Sequence, residues 1–295
     1  IPYWFRITGN GDPNKPSRFS DIKLIGYRSI DPDSVTVHRG IDIGAVIDFR
    51  IDHCYLEHIC GGAIRIWGSY WEDLGCRGVI DHCFLVNEHG HVEATSANCT
   101  VGYGVSMARV CGDYWEDDVS KVLGKYTDYT TFIEDCYFEK WRHCVAAGSG
   151  AHYVFRHSTI KDDFGFGSLD AHGWGVWDGE KITQVATRAV EIYNCTIIDA
   201  MQSSWATFIR GGAGVAFNNI VGGGTYSSFI YMSREADVEV SKCWPHEWWI
   251  WNNTLLAGVA EVLIYHDAEK GGPEEGVDYF LHSPHTFDYE PYHHR

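Results

Sequence analysis

Basic side chains are scarce in this chain. Lys and Arg number 23 against 40 Asp and Glu, a formal charge of −17. No cluster of them marks a phosphate-binding surface, which argues against nucleic acid as a partner. Long apolar runs are missing as well. Nothing approaches the run of about 18 apolar residues that a membrane-spanning helix needs, so no membrane span is expected. No stretch keeps a helical period for three turns, which leaves strands as the main elements. A signal-like leader is not visible, but the chain opens on Ile1, so it reads as a processed or trimmed form and the missing leader says little about compartment.

What is present fits many short strands. The 295 residues are 45% hydrophobic and 21% charged, enough to bury a large core and too apolar for disorder. Glycine (32), tyrosine (17) and tryptophan (12) are abundant, a mixture of turn and strand formers. The 10 cysteines are open to three readings: disulfides, metal ligands or buried thiols.

Their positions narrow the choice. "VIDFRIDHCYLEHI", "GVIDHCFLVNEH", "TFIEDCYFEKW", "YVFRHSTIKDD", "RAVEIYNCTIIDA" and "WIWNNTLLAG" share one local pattern. Aligned on one column they place Ile22, Cys54, Cys83, Cys136, Ser158, Cys195, Asn219 and Asn253 in register, at intervals of 32, 29, 53, 22, 37, 24 and 34 residues. Such periods point to a solenoid or propeller, and the interval of 53 reads as two units with one degraded copy. A propeller blade needs four antiparallel strands with hairpin turns, whereas these units carry two or three strands and no Asn-Gly or Asp-Gly signal between them. A parallel β-helix remains, one coil per unit, with equivalent residues stacked about 4.8 Å apart.

In that geometry the column residue follows a polar turn residue (Asp21, His53, His82, Asp135, His157, Asn194, Asn218, Asn252) and points into the stack. Cys, Ser and Asn are small enough for the place, and Cys54, Cys83, Cys136 and Cys195 are read as ladder thiols acting as compact hydrophobes. Off the column, Cys99–Cys111 or Cys60–Cys76 are conceivable bridges, although sequence cannot assign connectivity. Residues 1–278 are expected to form the solenoid, and 279–295 a tail that caps its end or reaches a neighbouring molecule.

The repeats "VFRHSTI", "VEIYNCTI", "FIRGGAGVAFNNIV" and "WIWNNTLL" resemble those of right-handed parallel β-helix proteins of the pectate-lyase-like superfamily, over about residues 18–265. The ending "DYFLHSPHTFDYEPYHHR" is similar to tails of secreted β-helix repeat proteins. The resemblance implies an all-β, right-handed parallel β-helix, an extracellular or cell-surface setting, and a role that binds or processes polysaccharide. It speaks weakly to activity, because the same solenoid hosts lyases, hydrolases, epimerases, adhesins and phage spikes. Lyase-type chemistry is the preferred catalytic form. The alternative is a non-catalytic structural or adhesive surface protein that self-associates.

Lyase chemistry asks for a basic residue to take a proton and a cation, Ca²⁺ or arginine, to stabilise the resulting charge. Hydrolase chemistry asks for carboxylates at set separation. The richest stretch is "DDFGFGSLDAHGWGVWDGE". Asp170 and His172 share one face of an extended strand, and the flanking glycines would let a ligand come close. With Arg188 and Arg210 on later coils, these four are the candidate catalytic residues. Arg142, His143 and Lys161, with Trp174 and Trp177, are the candidate substrate-binding residues, since aromatic faces suit sugar rings in wet grooves.

Glu72 and Asp73, then Glu116, Asp117 and Asp118, are acidic enough for Ca²⁺, the one cofactor considered, but match no calcium loop. Glu88, His89 and His91 lack a second ligand set for zinc, so no metal site is assigned. Three sequons occur, at Asn98, Asn194 and Asn252; the last two are turn residues of the repeat, and glycosylation is not expected to explain them.

Overall fold

The computed structural model describes residues 3–9, 12–26, 39–59, 61–68, 75–87, 102–108, 118–165, 167–174, 176–177 and 182–293. The chain winds as a right-handed parallel β-helix, half of it in strands and almost none of it helical. Among the described residues, three parallel sheets of nine, nine and eight strands form its walls. We call them A, B and C in the order in which each coil visits them.

The strand periodicity sets up this winding. Alternate residues point inward, and in register they build ladders of like side chains. On sheet C the inward ladder runs Leu24, Leu56, Leu85, Phe138, Ile160, Ile197, Val221 and Leu255. On sheet B it runs Phe19, Ile51, Ile80, Ile133, Phe155, Ile192, Ala216 and Ile250. Nearly all of these side chains are fully buried in one continuous core.

The corner between sheets B and C carries the repeat's signature. All eight turn residues, Asp21, His53, His82, Asp135, His157, Asn194, Asn218 and Asn252, adopt φ between 50° and 59°. A single left-handed residue bends the chain sharply there, and Asp, Asn and His tolerate that conformation better than most side chains. Of the following column residues, Cys54, Cys83, Cys136, Ser158, Cys195 and Asn219 are buried and Ile22 and Asn253 half-buried, and the four cysteines are free thiols. They do more than fill space. The amides of Cys136, Cys195 and Asn219 donate to Ser158 Oγ (3.1 Å), Asn219 Oδ1 (3.0 Å) and Asn253 Oδ1 (3.1 Å) of the next coil. The Cys83 amide likewise faces Cys136 Sγ at 3.4 Å. Each thiol also donates to a backbone carbonyl, as Cys195 does to Tyr193 at 3.2 Å. Cys, Ser and Asn therefore exchange along the column because each offers an acceptor to one side and a donor to the other. Burial pushes the Cys195 thiol up to about 12, which keeps it protonated.

Three expectations need correction. The interval of 53 residues between Cys83 and Cys136 is one coil with a long insertion, because the strands Arg77–Asp81 and Thr130–Glu134 pair directly. Cys76 is a free buried thiol, so no Cys60–Cys76 bridge forms; Cys99 and Cys111 lie outside the described residues. One hairpin signal does exist: Asp178–Gly179 lies between strands Val176–Trp177 and Ile182–Gln184, which pair antiparallel as an insertion between sheets A and B.

Tyr279–Phe280 form the ninth strand of sheet B beside Trp248–Trp249. The chain then doubles back over the outer face of sheet B. Phe287 meets Trp249 edge-on (5.3 Å between ring centroids), Tyr289 meets Phe217 (5.9 Å), and Tyr292 lies against Phe132 (5.6 Å). No helix among the described residues is long and apolar enough to cross a membrane.

Candidate functional site

The outer face of sheet A carries a groove of about 730 Å³. Its floor follows from strand register. Ala146, Asp170, Phe208 and Tyr231 are successive partners on neighbouring strands and occupy one outward row. Trp205 stacks on Tyr231 with ring centroids 3.9 Å apart and planes 12° from parallel, and Phe208 adjoins both at 5.3 Å. Trp174, 54% exposed, rises opposite with its ring 4.8 Å from that of His172.

One ion-pair network braces this floor. Asp170 is fully buried, and Arg210 grips its carboxylate through Nη2, 2.7 Å from Oδ2 and 2.9 Å from Oδ1. Arg210 Nη1 reaches Glu235 Oε1 at 2.7 Å, and Glu235 Oε2 accepts the Gly173 amide at 2.8 Å. His172 Nε2 lies 2.9 Å from Asp170 Oδ2. Arg210 Nη2 sits 2.6 Å from His172 Nδ1 and 3.1 Å from Nε2. A guanidinium only donates, so in the neutral ring the nearer nitrogen, Nδ1, supplies the lone pair, and Nε2–H donates to Asp170 whether or not the ring is protonated. Burial opposes ionisation of Asp170. The His172 ring and the Arg210 guanidinium outweigh it and hold the carboxyl well below the usual range. Asp170 is thus ionised at physiological pH and serves as an anchor, not as a proton donor.

His143 flanks the groove. It is buried, and its Nδ1–H donates to Gly167 O at 2.6 Å, which leaves Nε2 as an acceptor. Burial lowers it to about 4, so the ring is neutral at physiological pH. Gly167 supplies that carbonyl from φ 96°, and a Cβ there would sit 2.8 Å from Phe208 Cβ. A Cβ on Gly173 would meet Arg210 O at 2.0 Å. These glycines make room for the neighbouring coil, not for a ligand as the sequence suggested.

The structure brings together Asp170, His172, Arg210, Arg142, His143 and Trp174 around the groove. It does not bring in Arg188, which lies just before the sheet B strand Ala189–Tyr193 and is buried within electrostatic reach of Asp118 and Glu247. Residue 188 follows the inserted hairpin, past the corner from sheet A. Lys161 is also elsewhere, on the outer face of sheet C beside Glu139 and Asp162. The Trp177 side chain lies outside the described residues, as do Glu72, Asp73, Glu88, His89, His91, Glu116 and Asp117. Among the described residues no group of three or more His, Cys, Asp or Glu is placed to hold a metal ion. Sequence reasoning missed Tyr103, Trp205, Tyr231, Arg234, Glu235 and Lys270, all of which line the groove. Aligning the sheet A strands, rather than the turn column, would have exposed the Asp170–Phe208–Tyr231 row.

Behind the groove, Asp163 is fully buried and accepts from Ser168 Oγ (2.6 Å) and the Phe164 amide (2.9 Å); Ser168 Oγ also meets Tyr226 OH (2.8 Å). Burial raises Asp163 to about 7 despite these bonds. The unfolded chain releases this proton near pH 4, so the folded state holds it over a wider range. Its contribution is fully present below about pH 4 and is lost as pH rises to about 7. Asp163→Asn keeps the shape, since Ser168 can accept from the new amide while donating to Tyr226. Urea denaturation at pH 4, 6 and 8 is expected to show the variant gaining about 2–4 kcal/mol on the parent across that window. Parallel pH profiles would refute the buried titration.

The chain matches no family model, no curated protein and no solved structure.

Proposed function

We propose that this chain binds polysaccharide in the groove on sheet A, as an extracellular or cell-surface β-helix protein. The observation that carries this reading is the aromatic floor of Trp205, Phe208 and Tyr231 facing the exposed Trp174 across an open groove. Flat rings edged by polar groups suit the faces and hydroxyls of sugar rings. The resemblance to pectate-lyase-like proteins supports the same reading. Lyase-type turnover is the less supported form, since Arg210, the cation proposed for it, is already occupied by Asp170 and Glu235.

Affinity electrophoresis against a broad glycan panel tests the proposal, with release of reducing ends and of unsaturated uronates followed in parallel, with and without Ca²⁺. At least one polymer is expected to retard the protein, and Trp174→Ala to weaken that binding about tenfold while leaving the fold intact.

A second reading has its own observation. The outer face of sheet C exposes Phe84 (52%), Ile25 (52%) and Ile220 (44%), with Tyr55 and Tyr137 in the same row as Phe84. Such a patch suits a self-associating sheath or filament subunit. Silence on every polymer, together with self-association of the pure protein, would favour it.

A further inference from the structure

The groove looks cationic from its lining residues. Arg142, Arg210, Arg234 and Lys270 face Glu235 and Asp267, in a chain of strongly negative overall charge. Taken by residue type, that lining would suit a polyanion. The contacts say otherwise, because the cations are committed within the protein. Arg210 is shared between Asp170 and Glu235. Arg234 pairs with Asp278 (2.7 Å), donates to Lys270 O (2.8 Å) and lies over the Trp244 ring (4.7 Å). Lys270 Nζ donates to Glu235 O at 2.8 Å, and its charge acts on neighbouring Asp267. Arg142 is not free either.

An anionic sugar drawn to Arg210 would have to displace its partners and leave Asp170, fully buried, without its counter-charge. That exchange gains little, because one ion pair is broken to make another and a buried carboxylate is stranded. What the groove offers without rearrangement is aromatic surface and hydrogen-bond acceptors: the Trp205–Tyr231 floor, the Trp174 wall, the Nε2 edge of the largely buried His143, and the remaining lone pairs of Glu235, which already holds Arg210 and the Gly173 amide, and of Asp267, which already accepts the Glu269 and Lys270 amides. Carboxylates repel an anion and accept from hydroxyls.

We infer that the ligand of this groove is an uncharged, hydroxyl-rich glycan, its ring faces on the aromatic floor and its hydroxyls donating to His143, Glu235 and Asp267. This rests on the glycan-binding reading and narrows it. Salt should therefore matter little, since no net charge is neutralised on binding.

The test is isothermal titration of the full chain with two matched sets of probes. One set is neutral oligosaccharides (xylo-, manno- and cello-oligosaccharides), the other uronate oligosaccharides (oligogalacturonate and oligomannuronate). Each is run at about 0.01 M and about 0.3 M NaCl, where screening differs most. A neutral probe is expected to bind with affinity changing less than about twofold between the two salts, and to lose about tenfold in Trp174→Ala. Binding of uronates alone, weakening steeply with salt, would overturn the uncharged-ligand inference and leave glycan binding standing. Binding of neither set would overturn both. Circular dichroism on Trp174→Ala excludes misfolding.

Discussion

Arg210→Ala should cost the fold about 3–5 kcal/mol, the usual penalty for stripping the partner from a buried charge. Asp170 is fully buried and its carboxylate takes both Nη2 contacts and an Nε contact at 3.2 Å from this one guanidinium. Removing it leaves an ionised carboxylate with His172 as its closest remaining partner, and releases Glu235 from its bridge. The loss should depend on pH in a definite direction. In the parent, Asp170 is held well below its ordinary value, so its stabilisation is present above about pH 4 and is lost only as strong acid protonates it in the folded state. In the variant, burial without Arg210 raises the group, and the folded state takes up a proton as pH falls. The deficit should be largest near pH 7 and shrink toward pH 4. Asp170→Asn added to Arg210→Ala should recover about half of the loss at neutral pH, because no charge is then stranded. Urea denaturation of the parent, both single variants and the double variant measures all of this. Equal losses at pH 4 and pH 7, with no recovery in the double variant, would show that Asp170 does not depend on Arg210.

This expectation bears on how the groove can be dissected. A loss of glycan binding in Arg210→Ala or Asp170→Ala would report a collapsed floor and not a lost contact. Trp174 is the better probe, because it is exposed and stands off the ladder.

The fold was legible because the corner from sheet B to sheet C makes two demands at adjacent positions. One residue must accept φ near 55°, which selects Asp, Asn and His. The next must be small, buried and able to accept a hydrogen bond, which selects Cys, Ser and Asn. The first demand recurs at all eight corners and the second at all but the first, where Ile22 stands, and together they leave a visible column. The groove has no such column. Asp170, Phe208 and Tyr231 are neighbours in space, yet the chain between each of them and its own corner residue differs in length, because the hairpin at 176–184 and the segment 233–244 are inserted. Insertions erase the register that would have aligned the sheet A strands. Arg188 seemed to belong beside Asp170 only while the hairpin's length in space was unknown. The pair Asp170 and His172 was legible because both sit on or just beyond a single strand, where alternation suffices.

Truncation before His285 is the other change with a large expected effect. It removes Phe287, Tyr289 and Tyr292, which lie across sheet B over Trp249, Phe217 and Phe132. It also removes two polar fastenings to buried charges: Tyr289 OH donates to Glu191 Oε2 at 2.5 Å, and Arg156 Nη1 donates to Tyr292 O at 2.5 Å. Glu191 is itself buried between the Gly124 amide and His152 Nε2, so the tail completes a network that begins in the solenoid wall. Three half-buried aromatic side chains at about 1 kcal/mol each, plus two hydrogen bonds to charged groups at about 1.5–3 kcal/mol each, give a loss of about 6–9 kcal/mol. Tyr289→Phe keeps the ring and removes only the hydroxyl, and should lose about 1.5–3 kcal/mol. Uncovering Val154, Tyr193, Phe217 and Trp249, all buried beneath this region, should also create a surface that binds a hydrophobic dye. Urea denaturation and dye fluorescence of the two variants check both effects. A truncated chain as stable as the parent, with no new dye binding, would mean that the tail lies on a wall complete without it. The expected result makes the tail a strap that ties one coil to the next along sheet B, so the coils it spans should unfold together and not one at a time.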